Sequence, residues 1–312
     1  MNELNVATHL KRELQSEGIQ LRIIPISRWN EIRDEINQTL DGLTDPGILE
    51  YIRRYYDFDI ENSFHDPRSL LILSVPTWKV RFRFNYDDRE IEAIVPSAYM
   101  DFFRVKDRID SILERSLGAS GFKFEFLSIP AKLLAVRSGL ARYGRNNITY
   151  VEDAGSFIRL MIYASDLPVE DHEWHEKRKM DRCERCDLCL DNCPTGAIDS
   201  SRFLLRAERC LTYFNEWESD IPEWLEGSWH NCLIGCLRCQ EVCPANKEVR
   251  RNIIEGATFS GEEIEILMRV TKIEDLPRPL RMKVEESGLS ELYPVLPRNI
   301  GLLLCHRPDK SE

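Results

Sequence analysis

The chain has 312 residues, 43% of them hydrophobic and 30% charged, which gives enough apolar material for one large domain or two to three smaller ones. Its formal charge of −11 disfavours nucleic acid except where basic residues gather, and the short basic runs at Lys177–Lys179 and Arg250–Arg251 read more simply as solvated loop charge. The longest apolar runs, Leu70–Val75 and Ile300–Cys305, fall far short of the ~20 residues that cross a bilayer. The amphipathic Met1–Leu14 is no signal peptide, so a cytoplasmic protein without a membrane partner is expected.

In chain order, Leu4, Ala7, Leu10 and Leu14 share a face and predict a helix over Asn2–Glu17, followed by a strand at Gln20–Ile26. Ser27 is placed to cap a second helix striped by Trp29, Ile32, Ile36 and Leu40. Asp45-Pro46-Gly47 breaks the chain before a helix carrying Ile48, Tyr51 and Ile52. The unbroken apolar run Ser69–Pro76 predicts a central strand. Val80, Phe82 and Phe84 alternate with Arg81 and Arg83, turn at Asn85–Arg89 and return through Ile91–Val95 as a hairpin.

A helix buried through Phe102, Val105, Ile109, Ile112 and Leu113 follows, then a strand at Phe122–Phe126 and a helix entered through Pro130. Thr149–Val151 and Phe157–Tyr163 read as strands, and 166–180 as a domain junction flanked by His172 and His175. The expected division is 1–175 as a first domain, 176–250 as a cysteine-rich domain and 251–312 as a short helical segment. That segment carries helices over Gly261–Val270, Arg278–Ser287 and Pro297–Leu304.

Nine of the ten cysteines fall between positions 183 and 243, with only Cys305 outside. A disulfide scaffold belongs to small secreted proteins. The first run is Cys183-x2-Cys186-x2-Cys189-x3-Cys193-Pro194, and the second is Cys236-x2-Cys239-x3-Cys243-Pro244 with Cys210 upstream. Bacterial ferredoxins use such a run, and its fourth cysteine ligates the other cluster. Two 4Fe–4S clusters are therefore expected, one on Cys183, Cys186, Cys189 and Cys243, the other on Cys236, Cys239, Cys210 and Cys193. Zinc, the competing reading, shows paired C-x2-C units without the Cys-Pro ending. Cys232 and Cys305 are left to packing. Two oxidised clusters would bring the net charge to about −15.

Upstream, Ser138–Asn147 holds two glycines and two asparagines after a helix. It can cradle a phosphate or a polar cofactor edge, or simply end the helix at Gly139 and turn. This segment is similar to the glycine-rich motif of the epoxyqueuosine reductase family. The resemblance extends through Pro67-Arg68-Ser69, Gly155-Ser156-Phe157, Asp166-Leu167-Pro168, both cysteine runs, Arg209–Tyr213 and Arg298-Asn299, over about residues 65–305.

The resemblance implies an α+β protein: a nitroreductase-like α/β core holding cobalamin, a ferredoxin-like double 4Fe–4S domain and a short helical C-terminus. It further implies that the clusters reduce cobalt to Co(I), that an acid protonates the opened epoxide of a modified tRNA base, and that a ferredoxin or flavodoxin supplies low-potential electrons. By position, the cofactor would meet Tyr99, Gly139, Leu140, Tyr143, Gly144, Arg145, Asn146 and Ser156. The family's acidic segment is absent, and Glu125 stands in its place, either as the acid or as a solvent-facing strand residue. Ala141 and Arg145 replace a glycine and a lysine of the motif. An electron-transfer protein that activates a partner's corrinoid is the alternative to a tRNA-acting enzyme.

Overall fold

The computed structural model describes residues 3–43, 45–56, 58, 60, 64, 66–170 and 174–305. His172 and the side chains of Leu4 and Cys305 lie outside the described residues. The chain divides into two compact units, Met1–Pro76 with Phe103–Cys186, and Thr77–Phe102 with Asp187–Glu312.

The first unit is built on an antiparallel sheet of order β1-β2-β8-β5, from Gln20–Pro25, Ser69–Pro76, Ile158–Ser165 and Phe124–Leu127. β2 is central and buried over Ser69–Val75, which is why it reads as an unbroken apolar run. The helices of this unit are α1 (Glu3–Ser16), α2 (Arg28–Asp41), α3 (Pro46–Tyr55), α4 (Phe102–Ser116) and α5 (Ala131–Arg137). Asp45 caps α3 by accepting from Ile48 N at 3.0 Å, with Pro46 at the first turn. Ser27 does not cap α2: its own backbone is already helical, so its hydroxyl cannot swing back over the first turn. A small hairpin, β6 (Arg142–Tyr143) with β7 (Thr149–Tyr150), completes the unit.

In the second unit β3 (Lys79–Tyr86) pairs antiparallel with β4 (Arg89–Val95) and parallel with β9 (Ile253–Phe259). Val80, Phe82, Phe84 and Phe259 are buried on one face, and Phe259 lies 5.8 Å edge-on from Phe84. The arginines between them face outward to carboxylates: Arg81 to Glu92 and Glu255, Arg83 to Glu255 at 2.7 Å. Around this sheet gather the helices Gly261–Arg269, Arg278–Glu286 and Leu296–Cys305, whose Ile264, Val284 and Ile300 are fully buried.

β9 corrects the expectation that everything after residue 250 is helical. Its burial does not alternate, and Gly256 sits where a Cβ would meet the Phe82 ring at 2.7 Å. The glycine is there because the neighbouring strand's aromatic needs the space. Among the described residues no helix is long and apolar enough to cross a membrane.

Candidate iron–sulfur and cofactor site

Within the second unit Cys210, Cys236 and Cys243 sit at the entrances to very short helices, and Cys189 and Cys239 lie inside such helices. Cys210 immediately precedes Leu211–Glu216, with extended backbone, and the N–H of Thr212 turns back onto its sulfur. Cys236 stands two residues before Arg238–Glu241 and receives the N–H of Arg238 in the same way. These N–H···S contacts come from starting a helical turn just after the cysteine, and they are the kind of outer contact that tunes an iron–sulfur centre. Asn231 Nδ2 adds a longer contact to Cys236 Sγ at 3.9 Å, and Thr195 Oγ1 lies 3.6 Å from Cys193 Sγ.

Cys193, Cys210 and Cys236 lie within electrostatic reach of one another. Burial pushes the Cys236 thiol up to about 11 and the Cys210 thiol upward as well. Buried thiols that resist ionisation in the bare protein become thiolates when iron replaces their protons, so the donor set suits a cationic cluster.

Cys232 is 2% exposed, takes the N–H of Leu237 and has its ionisation suppressed by burial.

Three buried amides frame these cysteines. Asn215 Nδ2 donates to Gly235 O at 2.8 Å, and Asn299 Nδ2 donates to Asn215 O and Leu233 O at 2.9 and 2.8 Å. Asn246 Nδ2 donates to Gln240 O at 2.9 Å. Arg298 closes the end of the helix after Cys210 by donating to Phe214 O, Trp217 O and Ser219 O. Arg298 and Asn299 were visible in the sequence only as a motif; Asn215 and Asn246 carried no signal, because an asparagine's role depends on which carbonyls it meets.

In the first unit, Cys183 lies in the 3-10 turn Asp181–Arg185. Arg145 reaches it from the β6–β7 loop, with Nε donating to Cys186 O at 3.1 Å and Nη2 to Cys183 O. The loop is otherwise closed on itself. Gly144 N donates to Ile148 O, Asn147 N to Gly144 O, and Asn146 is 2% exposed with its Nδ2 on Tyr150 Oη at 2.9 Å.

Gly139 ends α5 in the left-handed region, φ +74°, so the helix-end reading of this segment holds. Neither glycine leaves an open cradle. A Cβ on Gly139 would stand 2.6 Å from His175 Nε2, and one on Gly144 would meet Asn146 Oδ1 and the Tyr150 ring. Gly139→Ala should therefore destabilise by about 1–3 kcal/mol from strain and clash together. Adding His175→Ala should recover only the steric part, read as urea midpoints of the single and double variants.

Leu140 and Tyr143 are buried, and Tyr143 is joined through its backbone to Arg178 and Met180. Burial pushes its phenol upward, so it remains a neutral packing group. Ser156 is also buried. What the loop leaves over is Asn147 Nδ2, buried without an acceptor. Cobalamin carries a rim of amide side chains, and an orphaned donor at a loop tip fits such a rim.

Tyr99 and Glu125 each have surroundings of their own. Tyr99 belongs to the second unit, where its ring covers Gly235 beside Cys236 and its hydroxyl donates to Glu216. Glu125 is exposed on the strand Phe124–Leu127, as in its solvent-facing reading. Of the basic runs, Lys177 is paired with Glu35 at 2.7 Å and Arg250 donates to Glu241 O at 2.6 Å.

Residues 182–246 match the 4Fe-4S double cluster binding domain, so the chain is a double-cluster iron–sulfur protein. It is also a relative of the epoxyqueuosine reductases. It is 28% identical to that of Cyclobacterium marinum over 214 residues, 64% of this chain and 66% of that protein. It is 26% identical to that of Cellulophaga algicola over 251 residues, 75% of this chain and 78% of that one. A crystal structure of an epoxyqueuosine reductase with an epoxyqueuosine-modified tRNA-Tyr stem loop superposes with a TM-score of 0.70 at 18% identity, covering 98% of this chain and 82% of that one. The mixed helix-and-sheet fold is thus that of these enzymes.

Proposed function

We propose that the chain is an iron–sulfur oxidoreductase of the epoxyqueuosine reductase type, acting in the cytoplasm on epoxyqueuosine in tRNA. The observation that carries this reading is the pair of reciprocal cysteine runs, with Cys193, Cys210 and Cys236 within electrostatic reach of one another. Cys183, Cys186, Cys189 and Cys243 would hold one cluster, and Cys193, Cys210, Cys236 and Cys239 the other.

When bound, the clusters would supply single electrons and a cobalamin the low-potential reducing centre that opens an epoxide. The 139–147 loop would hold the corrinoid rim through Asn147 Nδ2, on a backbone kept rigid by Gly144, Asn146 and Tyr150. Arg145 joins the same loop to the backbone of Cys183 and Cys186, so a group held by the loop stands close to a cluster's ligands. The tRNA substrate rests on the relatives, one of which was crystallised with a modified stem loop. A low-potential donor such as a ferredoxin or flavodoxin would reload the clusters.

The exposure of Glu125 favours a second reading, in which the chain passes electrons to a partner's corrinoid and needs no acid of its own. Anaerobic reconstitution with iron, sulfide and hydroxocobalamin, then desalting and metal analysis, separates the two. About eight irons with about one cobalt per chain, and conversion of epoxyqueuosine-containing tRNA, is the expected result. Eight irons without cobalt would transfer the assignment to electron transfer, and four or fewer would end both.

A further inference from the structure

Arg145 is the one long cation in the connection between β6 and β7, whose other polar side chains are largely spent on the loop itself. Its guanidinium is half-buried and forks between two carbonyls three residues apart, those of Cys183 and Cys186. The first of these cysteines lies inside the 3-10 turn Asp181–Arg185 and the second is the extended residue that ends it. A carbonyl held at each cysteine fixes the backbone from which each sulfur is carried.

A guanidinium presents separated N–H groups in one fixed plane and meets both carbonyls in a single geometry. A lysine ammonium has three donors on a flexible stem and would hold the pair less rigidly. The guanidinium also brings a positive charge to the peptide groups nearest the sulfurs, which favours the more negative, reduced form of whatever these sulfurs ligate.

We propose that Arg145 is the positioning residue of the Cys183–Cys186 loop, setting the stance of two thiolates and biasing their cluster toward reduction. The proposal rests on the reading that Cys183 and Cys186 ligate a cluster.

The test uses the full chain, reconstituted anaerobically, as parent, Arg145→Lys and Arg145→Gln. Iron per chain is measured first, followed by an EPR-monitored redox titration and hydrogen exchange over residues 181–187. The expected result is faster exchange in both variants and an altered line shape for one cluster in each. In Arg145→Gln the midpoint of that same cluster should also move to lower potential, or the cluster should be lost, leaving about four irons.

Line shape and midpoints identical to the parent in both variants would overturn the proposal, as would an Arg145→Lys protein indistinguishable from the parent. Equal shifts of both clusters would overturn it too, because the effect would not be local. A parent that itself holds four irons or fewer would instead remove the cluster reading beneath it.

Discussion

Cys210→Ser should lose one cluster and keep the other, with iron falling from about eight to about four per chain and reductive turnover falling with it. Cys210 stands apart from both runs in sequence, yet its sulfur lies within electrostatic reach of Cys193 and Cys236. The crossing of ligands between runs makes the prediction sharper. Cys193→Ser should cost the same four irons, and the Cys193→Ser/Cys210→Ser double variant no more than either alone. Cys210→Ser combined with Cys243→Ser should leave almost none, because those residues serve different clusters. If Cys193→Ser and Cys243→Ser instead removed the same cluster, as judged from the double variant's iron, the reciprocal assignment would be wrong. The serine hydroxyl is a poor replacement because it is harder to ionise than the thiol, in a place where burial already disfavours the charged form.

Asn299→Ala should destabilise the second unit by about 2–5 kcal/mol, since an orphaned buried carbonyl costs about 1–3 kcal/mol and this change strands two. The carbonyls are those of Asn215 and Leu233, each in a segment that carries a cysteine close by. The expected observation is a large fall in the denaturant midpoint at unchanged slope, with cluster absorbance lost in the same transition as tryptophan fluorescence. Asn299→Asp should be at least as damaging, because a carboxylate would face two carbonyl oxygens without a proton to share. A midpoint shift equivalent to less than about 1 kcal/mol would show that the amide bridge contributes little.

Much of the fold was legible because the relevant signals are local. The β3–β4 hairpin follows from the alternation of Val80, Phe82 and Phe84 with Arg81 and Arg83, and the buried β2 from its unbroken apolar run. The double-cluster domain was legible for a similar reason: cysteine spacing is a property of a short loop. What escaped depended on distant partners. β9 pairs across more than half the chain, and Gly256 obscures it because Phe82 needs the space. Ser27 has the chemistry of a cap but not the backbone for one. Gly139 and Gly144 carry the same letters whether a ligand or a side chain fills the space beside them; here His175, Asn146 and Tyr150 do. Tyr99 sits near the right place in the motif order but packs on Gly235.

The parallel pairing of β3 with β9 also sets an order of events during synthesis. Lys79 is matched with Ile253, so the hairpin emerges from the ribosome long before the strand that completes its sheet. Through that interval β3 has an open hydrogen-bonding edge, and by its end every cysteine from Cys183 to Cys243 has emerged. A chain arrested just before residue 253 would offer the same thiols but expose that edge, and its natural fate would be self-association rather than maturation.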